Sequence, residues 1–450
     1  MDRDSVTPDV STIPADRAER WVTHHHEFAA PSTYVYEFVW DVTEDAIGPF
    51  CTDVDGNVLL DFTSHVAAAP LGYNNPTIRE RMDAYDLPEP SKIAGQDFYA
   101  SGGGTADDTD FPGPTQLMDR LTDATSHYDM DTVFLSNTGA EAVENAIKIC
   151  YTNGGHRGVT FDGGFHGRTL GALSLNRSKA VHRRGFPEIP GIVSVPYCTC
   201  TGECACGWET DGPGGNVLAD RLHPERGDLP ADEVSYIILE PVQGEGGFRA
   251  PSPSFATDIE SIRREHDIYV ISDEIQAGVG RTGELWGIDH TPIEPDVITC
   301  AKGLRVGATV ANEDVFPEQE GRLSSTWGAG DLLSSLQGTL TLEIIEKENL
   351  LSNATDRGRH LIEALEDATL PGSVDVRGRG LMVAVEFDTK ARREAIVQAA
   401  LERGLLLLGC GYKTIRFLPP LDVTAREIDL AVSLFEEATR GVESPMQTAD

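Results

Sequence analysis

Lysine is scarce in this chain. Only seven occur in 450 residues, at positions 92, 148, 179, 302, 347, 390 and 413, and arginine supplies the rest of the positive charge. Positive charge as a whole is short: 36 Lys and Arg stand against 73 Asp and Glu, a formal net charge of −37. Such a surface is repelled by nucleic acid and by anionic membranes, so neither is expected as a partner. The acids are spread along the chain rather than gathered in blocks, as suits a solvated surface adapted to high salt, where screening removes the self-repulsion. Long apolar runs are also missing. None approaches the ~18 residues of a membrane span, and the start, Met-Asp-Arg-Asp-Ser-Val-Thr-Pro, is too acidic for a secretory signal. The expectation is a soluble, cytoplasmic protein. With 40% hydrophobic residues the chain is globular, long enough for one large domain and a smaller one.

From Thr115 to Pro295 short apolar runs alternate with helical patterns. Strands are expected at Thr132-Val-Phe-Leu, Gly158-Val-Thr-Phe, Ile192-Val-Ser-Val, Tyr236-Ile-Ile-Leu, Tyr269-Val-Ile-Ser and Val297-Ile-Thr-Cys. That alternation predicts an α/β domain with a mainly parallel sheet. Tyr34 to Phe62 alternates around the turn Asp53-Val-Asp-Gly-Asn57 and suggests a hairpin, whereas Gly380 to Phe387 and Thr414-Ile-Arg-Phe-Leu read as strands of a smaller α+β unit. The expected organisation is a disordered leader over 1–16, a small domain built from 17–63 and 332–440, a large domain over 64–331, and a tail over 441–450.

The scarcity of lysine singles out Lys302, which alone directly follows an apolar strand, in Asp296-Val-Ile-Thr-Cys-Ala-Lys302. Asp273 closes the preceding strand, 302 − 273 = 29 residues earlier. Parallel strands deliver such residues to one sheet edge. A buried amine and carboxylate there could form a simple ion pair. The sharper reading is a pyridoxal phosphate site, with Lys302 as the Schiff-base amine and Asp273 keeping the pyridine nitrogen protonated. Ser136-Asn-Thr-Gly139-Ala140-Glu141 follows a strand and opens a helix, so its N–H groups could receive an anion or form an ordinary cap. In Phe161-Asp-Gly-Gly-Phe165-His166-Gly-Arg168, Phe165 could lie flat on a planar ring and Arg168 offers a fork for a carboxylate, while His166 is as readily structural. Glu245 lies in the glycine-rich loop Glu240-Pro-Val-Gln-Gly-Glu-Gly-Gly. Arg416, between apolar strand neighbours, needs an anionic partner.

In this order, the Asp273-Glu-Ile275-Gln276 to Ala301-Lys302-Gly block, Pro241-Val-Gln-Gly-Glu245-Gly-Gly, Phe165-His166-Gly-Arg168-Thr and Ile415-Arg416-Phe resemble the class III pyridoxal-phosphate aminotransferases over about Pro31 to Glu437. The resemblance implies the aspartate-aminotransferase-like fold type I and a homodimer with active sites at the subunit interface. It implies Lys302 and Asp273 as catalytic residues and Gln276 at the ring hydroxyl. Ile275 and Phe165 would lie on the two ring faces beside His166, with Gly139 and Ala140 at the phosphate, and Thr326 reaching that phosphate from the other subunit. It also implies Arg416 on an α-carboxylate, Arg168 on a distal carboxylate, Glu245 pairing with Arg416 when that carboxylate is absent, and Val66 against the substrate chain. The reaction implied is transfer of an amino group from an ω-amino or basic amino acid to 2-oxoglutarate. A racemase on the same fold and a non-enzymatic binding protein are the alternatives. After Thr326-Trp-Gly the chain departs from the family's usual run. A second departure is Cys198-Thr-Cys200-Thr-Gly-Glu-Cys204-Ala-Cys206, which holds four of the eight cysteines. Such density can bind zinc or an iron–sulfur cluster, but the spacing matches no standard finger and plain thiols remain the alternative. Cys51, Cys150, Cys300 and Cys410 are scattered and expected simply to pack.

Overall fold

The computed structural model describes residues 1–32, 38–85, 96, 101–326 and 328–442. Residues 1–80 and 352–450 belong to one compact unit and 81–351 to another. The seams therefore fall at 80/81 and 351/352 rather than at 63/64 and 331/332.

In the discontinuous unit, β1 (Phe50–Thr52) and β2 (Val58–Asp61) form an antiparallel hairpin over the turn at Asp53–Asn57. Asp53 closes that turn by accepting the Asn57 N–H at 2.8 Å. The hairpin is shorter than the alternation predicts, and residues 33–37 of the expected run lie outside the described residues. The leader is not disordered. Asp9 exchanges backbone hydrogen bonds with Val58, and Ser11 N–H donates to Asn57 Oδ1. Arg3 reaches Asp422 at 2.6 Å and Glu427 at 2.8 Å. Its guanidinium needs those carboxylates because it is largely withdrawn from water. A helix over Asp16–His26 follows.

The other unit carries a seven-stranded sheet. Its strands are β3 (Thr132–Ser136), β4 (Arg157–Phe161), β5 (Ile192–Val195), β6 (Val234–Leu239), β7 (Tyr269–Asp273), β8 (Val297–Cys300) and β9 (Gly307–Ala311). The spatial order is β3-β9-β8-β7-β6-β4-β5. Every contact from β8 to β5 is parallel, and β9 alone runs antiparallel, between β8 and β3. β6 and β8 are buried along their whole length, which is why they read as unbroken apolar runs, and β9 is buried as completely but built of small residues. The helix Gly139–Thr152 covers one face, packing Val143, Ala146 and Ile147 against Tyr236, Ile238, Ile271 and Val297. The helix Leu332–Lys347 belongs to this unit rather than to the smaller domain. Leu336, Leu340, Ile344 and Ile345 leave little polar face on it, and it must be buried.

The chain then returns to the discontinuous unit as an antiparallel sheet of β10 (Ser373–Arg379), β11 (Met382–Phe387), β13 (Leu408–Cys410) and β14 (Thr414–Phe417), with β12 (Leu405–Leu406) added in parallel to β2. β11 and β14 match the expected strands. β10 escapes sequence reading because Asp375, Arg377 and Arg379 break its apolar pattern.

Candidate active site

The parallel register places Asp273 opposite Thr299, so Lys302 lies 302 − 299 = 3 residues beyond the partner of Asp273, at the same carboxyl-end edge of the sheet. Lys302 begins a short 3-10 turn with φ of 31°, in a region that non-glycine residues seldom occupy. Strain of this kind gathers where the surroundings over-determine a side chain's position.

Asp273 is buried, and its Oδ2 lies 2.8 Å from His166 Nδ1, with both side chains at most 3% exposed. His166 follows β4 and is held by its backbone N–H, which donates to Asn176 Oδ1 at 2.7 Å. The imidazole therefore orients the acid from the end of β4, across the intervening β6. Asp273 Oδ1 also accepts the Ile275 N–H at 3.1 Å, which fixes the turn that carries Ile275 and Gln276.

Glu240, which sequence reasoning quoted without a role, joins this layer. It is buried, and it accepts the N–H of Phe165 and of Gly244, each at 2.8 Å. Burial pushes its pKa up to about 7, the facing His166 pulls it down and Asp273 pushes it further up. The loops after β4 and β6 are thus tied together by one carboxyl group. Gln276 is buried, and its Oε1 has no hydrogen-bond partner among the described residues. A Cβ on Gly244 would collide with that oxygen, so a larger residue there would have to turn the amide away. An amide can present either end to a ligand.

At the other end of the site Thr138 caps the helix Gly139–Thr152. Its hydroxyl accepts the Glu141 N–H, and Glu141 Oε2 accepts the N–H groups of Asn137 and Thr138. The N–H groups of Gly139 and Ala140, in the first helical turn, have no acceptor within the helix. Ile275 packs against Gly139 so closely that a Cβ there would lie 2.7 Å from Ile275 Cδ1. Thr326 sits at this same helix end of its own chain, accepting from Asn137 Nδ2 at 2.7 Å and donating to Glu141 Oε1 at 2.9 Å.

Phe165 is half-buried, with the exposed Arg168 guanidinium 6.0 Å from its ring centroid and His182 edge-on at 5.1 Å. Lys179 Nζ lies 2.8 Å from Glu245 Oε2. Sequence reasoning missed Lys179, although its rarity as a lysine was a usable signal. Burial holds the His182 pKa below its usual value, Glu245 opposes that, and Lys179 and Arg168 reinforce it. Arg416 and Val66 belong to the discontinuous unit. Arg416 is buried on β14, in register with Ala384 and Leu408. Val66 has φ of 61°, strained for a β-branched residue, and lines a cavity of about 570 Å³ with Trp40, His65, Arg393 and Leu406.

The donor set fits pyridoxal phosphate. It comprises an oriented buried acid for a ring nitrogen, an orphaned amide for a phenolic oxygen, Ile275 and Phe165 as apolar walls, and helix N–H groups for a phosphate. The comparisons with known proteins agree. A model of the family described as aminotransferase class-III matches residues 34–439. Acetylornithine aminotransferase of Thermosynechococcus vestitus is 34% identical over 404 residues, covering 86% of this chain and 89% of that protein. An alanine/serine racemase of Pyrococcus horikoshii is 29% identical over 420 residues, covering 89% and 85%. Among solved structures, lysine aminotransferase from M. tuberculosis is similar with a TM-score of 0.79 and 26% identity, covering 94% of this chain and 99% of that one.

Proposed function

This chain belongs to the class-III aminotransferases and is a pyridoxal-phosphate-dependent transaminase; from that premise we propose that it moves an amino group from an ω-amino or basic amino acid to 2-oxoglutarate. The observation that carries the site assignment is the buried His166–Asp273 pair at the sheet edge shared with Lys302. The donor class rests on relatives named for acetylornithine and lysine, and on the cationic surroundings of Glu245.

When bound, the cofactor supplies an electron sink for negative charge developing at the carbon that bears the amino group. Asp273 holds the proton at the ring nitrogen, and His166 keeps the carboxylate turned toward it. Gln276 would bond the phenolic oxygen, Ile275 and Phe165 would exclude water from the ring, and Gly139 and Ala140 would receive the phosphate. Thr326 supports that helix end through Asn137 and Glu141. Lys302 would hold the cofactor at its aldehyde and would move a proton at the substrate carbon, which is ordinary acid–base work for a positioned amine. Arg416 takes an α-carboxylate and Arg168 a distal one.

Glu245 is held by Lys179, so the cation and anion can separate to meet substrates of different charge. An acidic acceptor meets Lys179 and Arg168, and an amino-bearing chain meets Glu245. The pair is partly exposed, so separating it between half-reactions costs only about 1 kcal/mol or less. The active form is a homodimer.

A panel of 4-aminobutyrate, ornithine, acetylornithine, lysine and diaminobutyrate with 2-oxoglutarate, read as glutamate formed, tests the reaction. No glutamate from any donor sinks this reading. The relative named alanine/serine racemase supports a second one: D-amino acid appearing with no keto acid present would replace transfer with racemisation.

A further inference from the structure

The geometry points to a second bound group, remote in purpose from the transamination chemistry: Cys198, Cys200, Cys204 and Cys206 hold one zinc ion in a tetrahedral tetrathiolate site. The four Sγ atoms all lie within 4.8 Å of one another. Two of the separations are 3.9 Å for Cys198–Cys204 and 3.3 Å for Cys204–Cys206. A tetrahedron with zinc–sulfur bonds of about 2.3 Å has edges of roughly 3.8 Å, so the thiols already approximate the required cage. Their packing discriminates between a single ion and a cluster of several metals. Iron–sulfur clusters spread their cysteines over several irons, which demands wider spacing than a single ion. Four soft thiolates in tetrahedral array select zinc over harder cations. All four cysteines are free thiols in the structure.

The surroundings resemble a finished site. The Glu209 N–H points at Cys204 Sγ at 3.5 Å and the Ser252 hydroxyl at Cys198 Sγ at 3.6 Å, the outer donors that thiolate ligands use to disperse charge. Cys198 is also fixed through its carbonyl, which accepts the Ser252 N–H at 2.8 Å. Cys198 is buried, Cys200 and Cys204 are half-buried, and Cys206 is exposed, which gives an ion a route in.

The segment needs such a staple. Between the end of β5 and the helix Val217–Leu222, residues 196 to 216 contain neither helix nor strand, only the bridge of Glu209 with Asn216. Connections of that length are uncommon in a compact unit unless something organises them. The downstream end is anchored by Trp208, buried against Phe255 and bonded through Nε1 to Asp258 Oδ2 at 2.7 Å. The upstream end is anchored by the Tyr197 hydroxyl, which donates to the carbonyl of Glu240 at 3.0 Å. Glu240 ties together the loops of the cofactor site, so the ion braces that wall from outside without touching substrate.

The test uses the cofactor-loaded enzyme, purified under reducing conditions from zinc-replete cells, with metal measured by elemental analysis. One zinc per chain is expected, released in step with mercurial titration of four thiols. Cobalt exchanged into the site should give the sulfur-to-metal absorption of a tetrahedral tetrathiolate. Cys204→Ser and Cys206→Ser should each lose the zinc and lower the melting temperature while keeping the cofactor absorbance. Should a variant fail to fold, the wild-type stoichiometry and cobalt spectrum decide alone. Freely titrating thiols without metal, a disulfide among the four, or iron in any form would each overturn the assignment.

Discussion

Glu274→Gln isolates one buried carboxyl group whose contribution has a definite sign. Glu274 is completely buried, and it accepts the N–H groups of Gly287 at 2.7 Å and Ile288 at 2.8 Å together with the Ser272 hydroxyl at 2.9 Å. It thereby pins the segment after Gln276 beneath the strand end that presents Asp273. Burial raises its pKa from 4.5 to about 7, although the two N–H groups and the hydroxyl pull the other way. Below about pH 4.5 folded and unfolded chains both keep this proton, and the group contributes its full stability. As pH rises the unfolded chain ionises first, so stability drains away until the folded carboxyl titrates near 7 and then stays at the lower level. Between pH 5.5 and 8 the loss covers 7 − 5.5 = 1.5 pH units, about 2 kcal/mol at roughly 1.36 kcal/mol per unit. Glutamine has no such titration. It presents an NH₂ to one of the two backbone donors, a pH-independent cost of about 1–3 kcal/mol. The variant should therefore be clearly less stable than the parent at pH 5.5, with the gap narrowing by about 2 kcal/mol at pH 8. The unit 81–351 has 351 − 81 + 1 = 271 residues, for which an unfolding entropy of roughly 2.1 cal/mol/K per residue turns that difference into about 3–4 °C. Melting curves of both proteins at matched salt and saturating cofactor measure it. A gap that is constant or widens with pH refutes the reasoning.

Lys302→Ala should abolish borohydride-stable attachment of the cofactor and lower turnover by at least about 10²–10⁴-fold, as followed by mass spectrometry and glutamate release. Asp273→Asn removes the charged acceptor beside His166, and cofactor titration should register a loss of about 1.5–3 kcal/mol, roughly 10- to 150-fold in affinity. Gly244→Ala places a methyl against Gln276 Oε1 and must turn that side chain away, so cofactor affinity should fall while the melting temperature of the apoenzyme moves little. Arg416→Ala should raise KM for 2-oxoglutarate by roughly tenfold or more and leave the cofactor spectrum unchanged; an unaltered KM removes Arg416 from carboxylate binding.

Much of this protein is written locally. Strands buried on both faces must be continuous apolar runs, so β6, β7 and β8 are legible one by one, and the helices between them imply a parallel sheet. The order of those strands then brings Asp273 and Lys302 to one edge, and the glycine-rich loops after β4 and β6 to the same side. Strand β9 is harder to see, because Gly307-Ala-Thr-Val-Ala is short and small and nothing local says that it runs backward between β8 and β3. The ordered start of the chain was likewise invisible. Its polarity suits a free leader, and only the distant Asp422, Glu427 and Val58 give its groups partners.

Partnership is the part that tertiary structure decided. His166 could as readily have been structural until its ring was found against Asp273, and Lys179 acquires meaning only beside Glu245. The four cysteines fit no pattern of spacing, yet folding collects their sulfurs within a single ion's reach. Residue type and periodicity record what each segment does with water and with its own backbone, and these are short-range preferences. Which charges and thiols meet depends on chain crossings tens to hundreds of residues long, and local preferences carry no trace of them.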